Sequence, residues 1–206
     1  MIVLLLPLTK KKIEILKYLY EKEQSHLREI SKNLKIHPFQ TKKIIDSLVN
    51  NKILEQKKAG KTILLKINTL FDGFNQLIYI IEDYKQKVEN KRLREVIKIL
   101  KQKFSKNKEI LACSIFGSYA REAQTKASDI DILFVIRNEV LHYEIMKAVS
   151  QFRSLFQVDI NPIIFSEREF LAAVNIKDPG ILTILKPSQR ILVLGLEYFI
   201  KETVSH

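Results

Sequence analysis

One cysteine, no tryptophan and only five glycines and five prolines occur among the 206 residues. A lone Cys113 cannot build a disulfide framework, and four histidines scattered at 26, 37, 142 and 206 offer no zinc-ligand spacing. So little glycine and proline rules out collagen-like and low-complexity chains. No apolar run approaches the roughly 20 residues needed to cross a bilayer, so no membrane association is expected. Residues Ile2–Leu8 are apolar but lack a basic leader and a small-residue cleavage site, and lysines follow them. A signal peptide is therefore not expected, and the cytoplasm is the expected compartment. What remains is a globular composition, 46% hydrophobic and 28% charged, long enough for one large domain or two small ones.

The net charge of +12 is unevenly spread. Residues 1–70 carry 15 Lys/Arg against 6 Asp/Glu, residues 71–109 carry 10 against 6, and residues 110–206 carry 10 against 11. A polyanion is the natural partner of the basic front, while the near-neutral rear is free to hold an acidic site. In the middle segment the lysines read as a solvated surface.

Residues Thr9–Glu23 place Ile13, Leu16, Tyr18, Leu19 and Tyr20 near helical spacing among lysines and glutamates. Ser25 can cap a second helix bearing Leu27, Ile30 and Leu34. Pro38 suits the first position of a third helix, whose buried stripe is Ile44, Ile45, Leu48 and Val49. The run ILEQKKAGKTILLKI then reads as two strands around Ala59-Gly60. Over HLREISKNLKIHPFQTKKIIDSLVNNKILEQ the chain resembles the winged helix-turn-helix family. That resemblance implies DNA contact by Phe39, Gln40, Lys42 and Lys43 on the recognition helix and by Lys57, Lys58 and Lys61 on the wing. Winged helices also serve as protein-protein modules, and the solvated-lysine reading stays open. Thr41 stands where the family usually has an apolar residue.

Between Leu70 and Lys87, Phe71, Phe74, Leu77, Ile78, Ile81 and Tyr84 recur at spacings of three and four, which predicts an amphipathic helix. Leu93, Val96, Ile97, Leu100 and Phe104 predict another. Tyr79 and Ile80 widen the first stripe beyond one packing face.

The densest chemistry lies in IFGSYAREAQTKASDIDI, residues 115–132. An apolar strand-like run ends at Gly117-Ser118, where Ser118 is expected to cap a helix reaching about Glu122. Glycine lets the backbone approach a ligand, and a helix N-terminus offers free N–H groups to anionic oxygens. Asp129 and Asp131 follow, one residue apart inside an apolar run. In a strand such residues share a face, about 6.6 Å apart along the chain. Two neighbouring carboxylates repel unless a cation sits between them, and magnesium is the natural one. A third acid, Asp159, opens VDINPIIF, with Asn161 on its strand face and placed to orient an acceptor. Together these residues resemble the nucleotidyltransferase superfamily of DNA polymerase beta, and most closely its minimal nucleotidyltransferases, over roughly residues 109–199.

The resemblance implies metal binding by Asp129, Asp131 and Asp159, with two Mg2+ ions, and proton removal from the attacking hydroxyl by Asp159. It implies contact between a nucleoside triphosphate, expected to be ATP, and Gly117, Ser118 and Arg121. The family usually has glycine where Glu122 stands, and an acid there would weaken triphosphate binding unless it turns outward. Arg121 suits either a phosphate or a surface ion pair, and Lys126, in the loop before the acids, has no assigned role.

The expected architecture is α/β (α+β). A winged helix-turn-helix occupies residues 1–69, a helical connector 70–108, and a nucleotidyltransferase domain with a mixed sheet flanked by helices 109–206. The expected activity is Mg2+-dependent transfer of a nucleoside monophosphate to a hydroxyl. By family analogy the acceptor is a tyrosine of a toxin partner, which would make the chain an antitoxin. The alternative is a transcription regulator whose second domain senses nucleotide or dimerises without catalysis. A homodimer is left open by the sequence.

Overall fold

The computed structural model describes residues 7–125 and 128–199. Most of the apolar Ile2–Leu8 segment and Lys126 lie outside them. The chain divides into two compact units, 1–85 and 86–206, so the boundary falls inside the 70–108 segment between its two helices. Among the described residues no helix is long and apolar enough to cross a membrane.

In the first unit the order is α1 (Lys10–Lys22), α2 (Leu27–Leu34), α3 (Pro38–Asn50), β1 (Leu54–Ala59), β2 (Thr62–Ile67) and α4 (Phe74–Lys85). This is the winged helix that the sequence pattern anticipated. Its core gathers Ile15, Leu16, Leu19, Ile30, Ile45 and Leu48 against Leu54, Leu65 and Ile67. On α1 the buried stripe is Ile15, Leu16 and Leu19, while Ile13, Tyr18 and Tyr20 stay half-buried. Thr41 is fully buried because its hydroxyl donates back to the His37 carbonyl at 3.2 Å, so the polar group is satisfied within its own helix.

Ser25 does not cap α2. Its backbone exchanges two hydrogen bonds with Leu65, at 3.0 and 2.8 Å, adding a one-residue third strand to the wing. The cap is His26, whose Nδ1 accepts from the Glu29 N–H at 3.2 Å. His37 does the same for α3, accepting from Phe39 N–H at 3.3 Å. In the wing Ala59 pairs with Thr62, which leaves Gly60-Lys61 as the two-residue turn. Gly60 takes the first central position at φ +59°, the place where such turns favour glycine.

On α4, Leu77, Ile78 and Ile81 are buried in the first unit, whereas Tyr79 points to solvent. The buried Lys85 and Glu82 pair at 3.5 Å, and the Tyr20 hydroxyl donates to Glu82 at 3.0 Å, so the charged end of α4 enters the packing with α1 as a bonded group.

The second unit holds α5 (Lys91–Phe104), β3 (Ile110–Phe116), α6 (Gly117–Ala120), β4 (Ile130–Ile136), α7 (Leu141–Phe156), β5 (Ile160–Ser166), α8 (Glu167–Asn175), α9 (Pro179–Leu185) and β6 (Arg190–Leu194). The sheet order is β5-β4-β3-β6, with β4 and β5 parallel and the other pairs antiparallel. Parallel strands need a crossover, and α7 supplies it. Period-two alternation gives each central strand two apolar faces. Cys113, Ile115, Ile130, Ile132 and Phe134 face a cluster that includes Leu93, Val96, Leu100, Ile145 and Val149 of α5 and α7. Ala112, Leu133, Val135 and Leu192 face one with Phe170, Ile181 and Ile184 of α8 and α9. This mixed sheet with helices on both faces is the arrangement expected for residues 109–206. The site lies where β3 ends and β4 and β5 begin.

Candidate active site

The chain leaves β3 at Phe116 and turns at Gly117, whose φ is +71°. A Cβ on Gly117 would overlap the Asp131 carboxylate and push it aside, and the left-handed φ itself favours glycine here. The next helix is one turn long, Gly117–Ala120, and stops short of Glu122. Phe116 occupies the capping position in extended conformation. Ser118 lies within the turn and is not its cap, correcting the sequence expectation. Arg121 ends the turn, and Glu122 adopts φ +56° one residue beyond. That left-handed backbone accounts for the glycine usual at this position: the site demands a conformation, and Glu122 meets it at a steric cost. Glu122 is exposed.

Asp129 and Asp131 flank Ile130, the first residue of β4, and Ile130 and Ile132 are buried on the opposite face, as alternation requires. In the parallel ladder Ile130 pairs with Ile160 and Asp131 with Asn161. Asp159 falls one step earlier on the neighbouring strand end, beside Asp129. There its carbonyl accepts from Ile130 N–H at 2.8 Å, and its side chain is exposed. The Asn161 amide donates to Asp129 Oδ2. Asp131 is half-buried and titrates above the ordinary aspartate range. Lost hydration is the main cause and the neighbouring Asp129 charge the second, with a hydrogen bond from Asn161 and the charge of Arg121 opposing them. Arg121 is itself exposed and donates to Gln189 Oε1 at 3.4 Å.

Gly117 thus lies against Asp131, the charges of Asp129 and Arg121 act on Asp131, Ser118 follows Gly117 in the turn, and Asp159 stands at the adjoining strand end. Among the described residues, no three His, Cys, Asp or Glu side chains already form a metal cage. The donors present are carboxylates crowded on a half-buried strand end, where the Asp129 charge adds to the cost of ionising Asp131. An oxygen-preferring divalent cation such as Mg2+ or Mn2+ fits such a set. Two contacts escaped the sequence reading. Strand alternation put Asn161 on the acidic face but could not show its bond to Asp129, and nothing in the run KPSQR signalled that Gln189 meets Arg121.

In the first unit the seven residues expected to meet DNA are all exposed: Phe39, Gln40, Lys42 and Lys43 on α3, Lys57 and Lys58 on β1, and Lys61 in the turn. Lys43 Nζ lies 4.7 Å from the centre of the Phe39 ring, which is 63% exposed. Lys11 donates to Gln40 Oε1 at 2.8 Å, so that amide is engaged by α1.

The family description "Polymerase beta, Nucleotidyltransferase" matches residues 98–186, a span that contains every acid of this site. A candidate protein adenylyltransferase of Methanocaldococcus jannaschii is 30% identical over 104 residues, 48% of this chain and 69% of that protein. The chain belongs to the polymerase beta nucleotidyltransferase family. Among solved structures, a mutant of Lactococcus lactis ZitR, a zinc-responsive MarR family member, is similar at 17% identity and a TM-score of 0.36, over 50% of this chain and 67% of that one. A toxin-antitoxin structure with AMP-PNP is similar at 19% identity and a TM-score of 0.34, over 56% of this chain and 86% of that one. Likeness at this level does not bear on function. The nucleotidyltransferase match at residues 98–186 begins inside α5, so the end of that helix goes with the second unit in sequence family as well as in packing.

Proposed function

We infer that this nucleotidyltransferase moves a nucleoside monophosphate from a triphosphate, ATP being the expected donor, onto a hydroxyl. One observation carries the reading. Asp129 and Asp131 share a half-buried strand end directly beside the Gly117 backbone, where lost hydration and the Asp129 charge disfavour ionisation of Asp131. A fold keeps so unfavourable a pair for a use, and cation binding is the one that relieves it. Asp129, Asp131 and Asp159 would hold Mg2+, which when bound offsets the negative charge of the transferring phosphoryl group. The triphosphate lies along Gly117-Ser118, where the backbone turns directly beside the Asp131 carboxylate, and Arg121 supplies a positive charge at the exposed rim. Asp159, exposed at the adjoining strand end, takes the proton of the attacking hydroxyl. The hydroxyl oxygen bonds the α-phosphorus as the bond to pyrophosphate breaks.

The winged helix binds DNA through Phe39, Gln40, Lys42, Lys43, Lys57, Lys58 and Lys61 in this reading. The acceptor is a protein hydroxyl, which accords with the protein adenylyltransferase description of the M. jannaschii relative. A tyrosine of a toxin partner, and hence an antitoxin role with operon binding through the winged helix, is the setting we propose. The test is transfer of label from α-labelled ATP, with Mg2+, to protein in a lysate of the native host. Label should appear with the wild-type chain and vanish with Asp129→Asn or Asp131→Asn. Metal-dependent nucleotide binding without any labelled product would overturn the transferase in favour of a nucleotide-sensing regulator.

A further inference from the structure

Asn161 lies outside the acids and the phosphate turn, yet its side chain reaches into the centre of the site. It stands opposite Asp131 in the β4–β5 ladder, two residues after Asp159 on the same strand face. Its amide nitrogen donates to Asp129 Oδ2. An amide nitrogen carries two hydrogens and no charge. Placed between two carboxylates, it can satisfy an oxygen of one and stay near the other without closing the remaining lone pairs to a cation. Hydrogen bonds of this kind orient metal-ligating carboxylates, and losing them typically weakens metal binding by about 10- to 100-fold.

We propose that Asn161 is a positioning residue for the cation site, holding the Asp129 carboxylate beside Asp131 in the arrangement that receives a divalent ion. This rests on the assignment of the two aspartates as metal ligands. Aimed at Asp129, the amide has a use other than the acceptor-orienting one that its strand face suggested. Because Asn161 is exposed, its replacement leaves the core packing untouched. Asn161→Leu, similar in shape but with no donor, isolates the hydrogen bond. Asn161→Ser keeps a shorter donor on the same face.

The experiment is Mn2+ titration of the full chain without nucleotide, followed by paramagnetic resonance of the free ion, with thermal unfolding recorded for each variant. Asn161→Leu should bind Mn2+ about tenfold or more weakly with an unchanged unfolding midpoint, and Asn161→Ser should recover part of that loss. Wild-type affinity in Asn161→Leu, alongside lost binding in Asp131→Asn, would overturn the proposal and leave the metal site standing. Equal Mn2+ affinity in wild type and Asp131→Asn would overturn the metal-ligand assignment itself, and the role of Asn161 with it.

Discussion

At the scale of single residues, the acid most exposed to conflict is Asp131. Its raised proton affinity means that the folded chain holds a proton there more tightly than the unfolded chain does. The fold is therefore free of this penalty below the ordinary aspartate range and bears it in full once pH rises through the raised value. Asp131→Asn should consequently stabilise the metal-free protein at neutral pH, by no more than about 1 kcal/mol because solvent reaches the half-buried pair. The advantage should disappear in acid. Urea unfolding of both forms across pH 3–8 checks this, and a wild type more stable than the variant at pH 7 would refute it. Stability and the proposed chemistry thus pull in opposite directions at one carboxylate.

At the scale of elements, the single turn α6 and the two residues after it show how local backbone overrides side-chain chemistry. Glu122 looks in the sequence like an unwelcome charge near a triphosphate. In the structure it is an exposed side chain on a left-handed residue just past a helix end. Such a conformation costs a residue with a Cβ about 1–2 kcal/mol, part of which glycine returns through its greater freedom when unfolded. Glu122→Gly should raise stability by about 1 kcal/mol, a midpoint shift of about 2–4 °C. Glu122→Ala, which removes the charge but keeps the Cβ, should give little or none of that gain in the same thermal melt. Equal gains from both would put the effect in the charge after all. The histidine caps on α2 and α3 carry the same lesson. Ser25 has the side chain of a cap, but the wing claims its backbone, and the next residue does the capping.

At the scale of the whole molecule, the excess of positive charge lies mostly in the first 70 residues, which hold the winged helix. Five lysines stand among the residues proposed to meet DNA, and all five are exposed. If they neutralise phosphates, log affinity for duplex DNA should fall with log salt by about 0.9 per contact. Lys42→Ala with Lys43→Ala should reduce that slope by about 0.9 for each lysine, as read by fluorescence anisotropy over a salt series. An unchanged slope would move the interface off α3.

Much of this was legible before any coordinates. Alternation along β3, β4 and β5 marks strands with two apolar faces, and helical spacing marks α1, α3, α4 and α5, because burial imposes a period on the chain. The spacing of Gly117, Asp129 and Asp131 points to the proposed site for the same reason: a close approach and a shared strand face require those residue types at those intervals. Periodicity and spacing thus carried the elements, the winged helix and the family, and singled out the acids proposed for the site. Only the tertiary structure decided that Ser25 belongs to a strand, that α4 and α5 fall in different units, that the backbone at Glu122 is left-handed, and that Asn161 reaches Asp129. The pairing of Ser25 with Leu65, the burial of α5 against the sheet and the reach of Asn161 join groups tens of residues apart, and the bend at Glu122 is set by where the chain must go next. A periodic pattern in one segment cannot encode either.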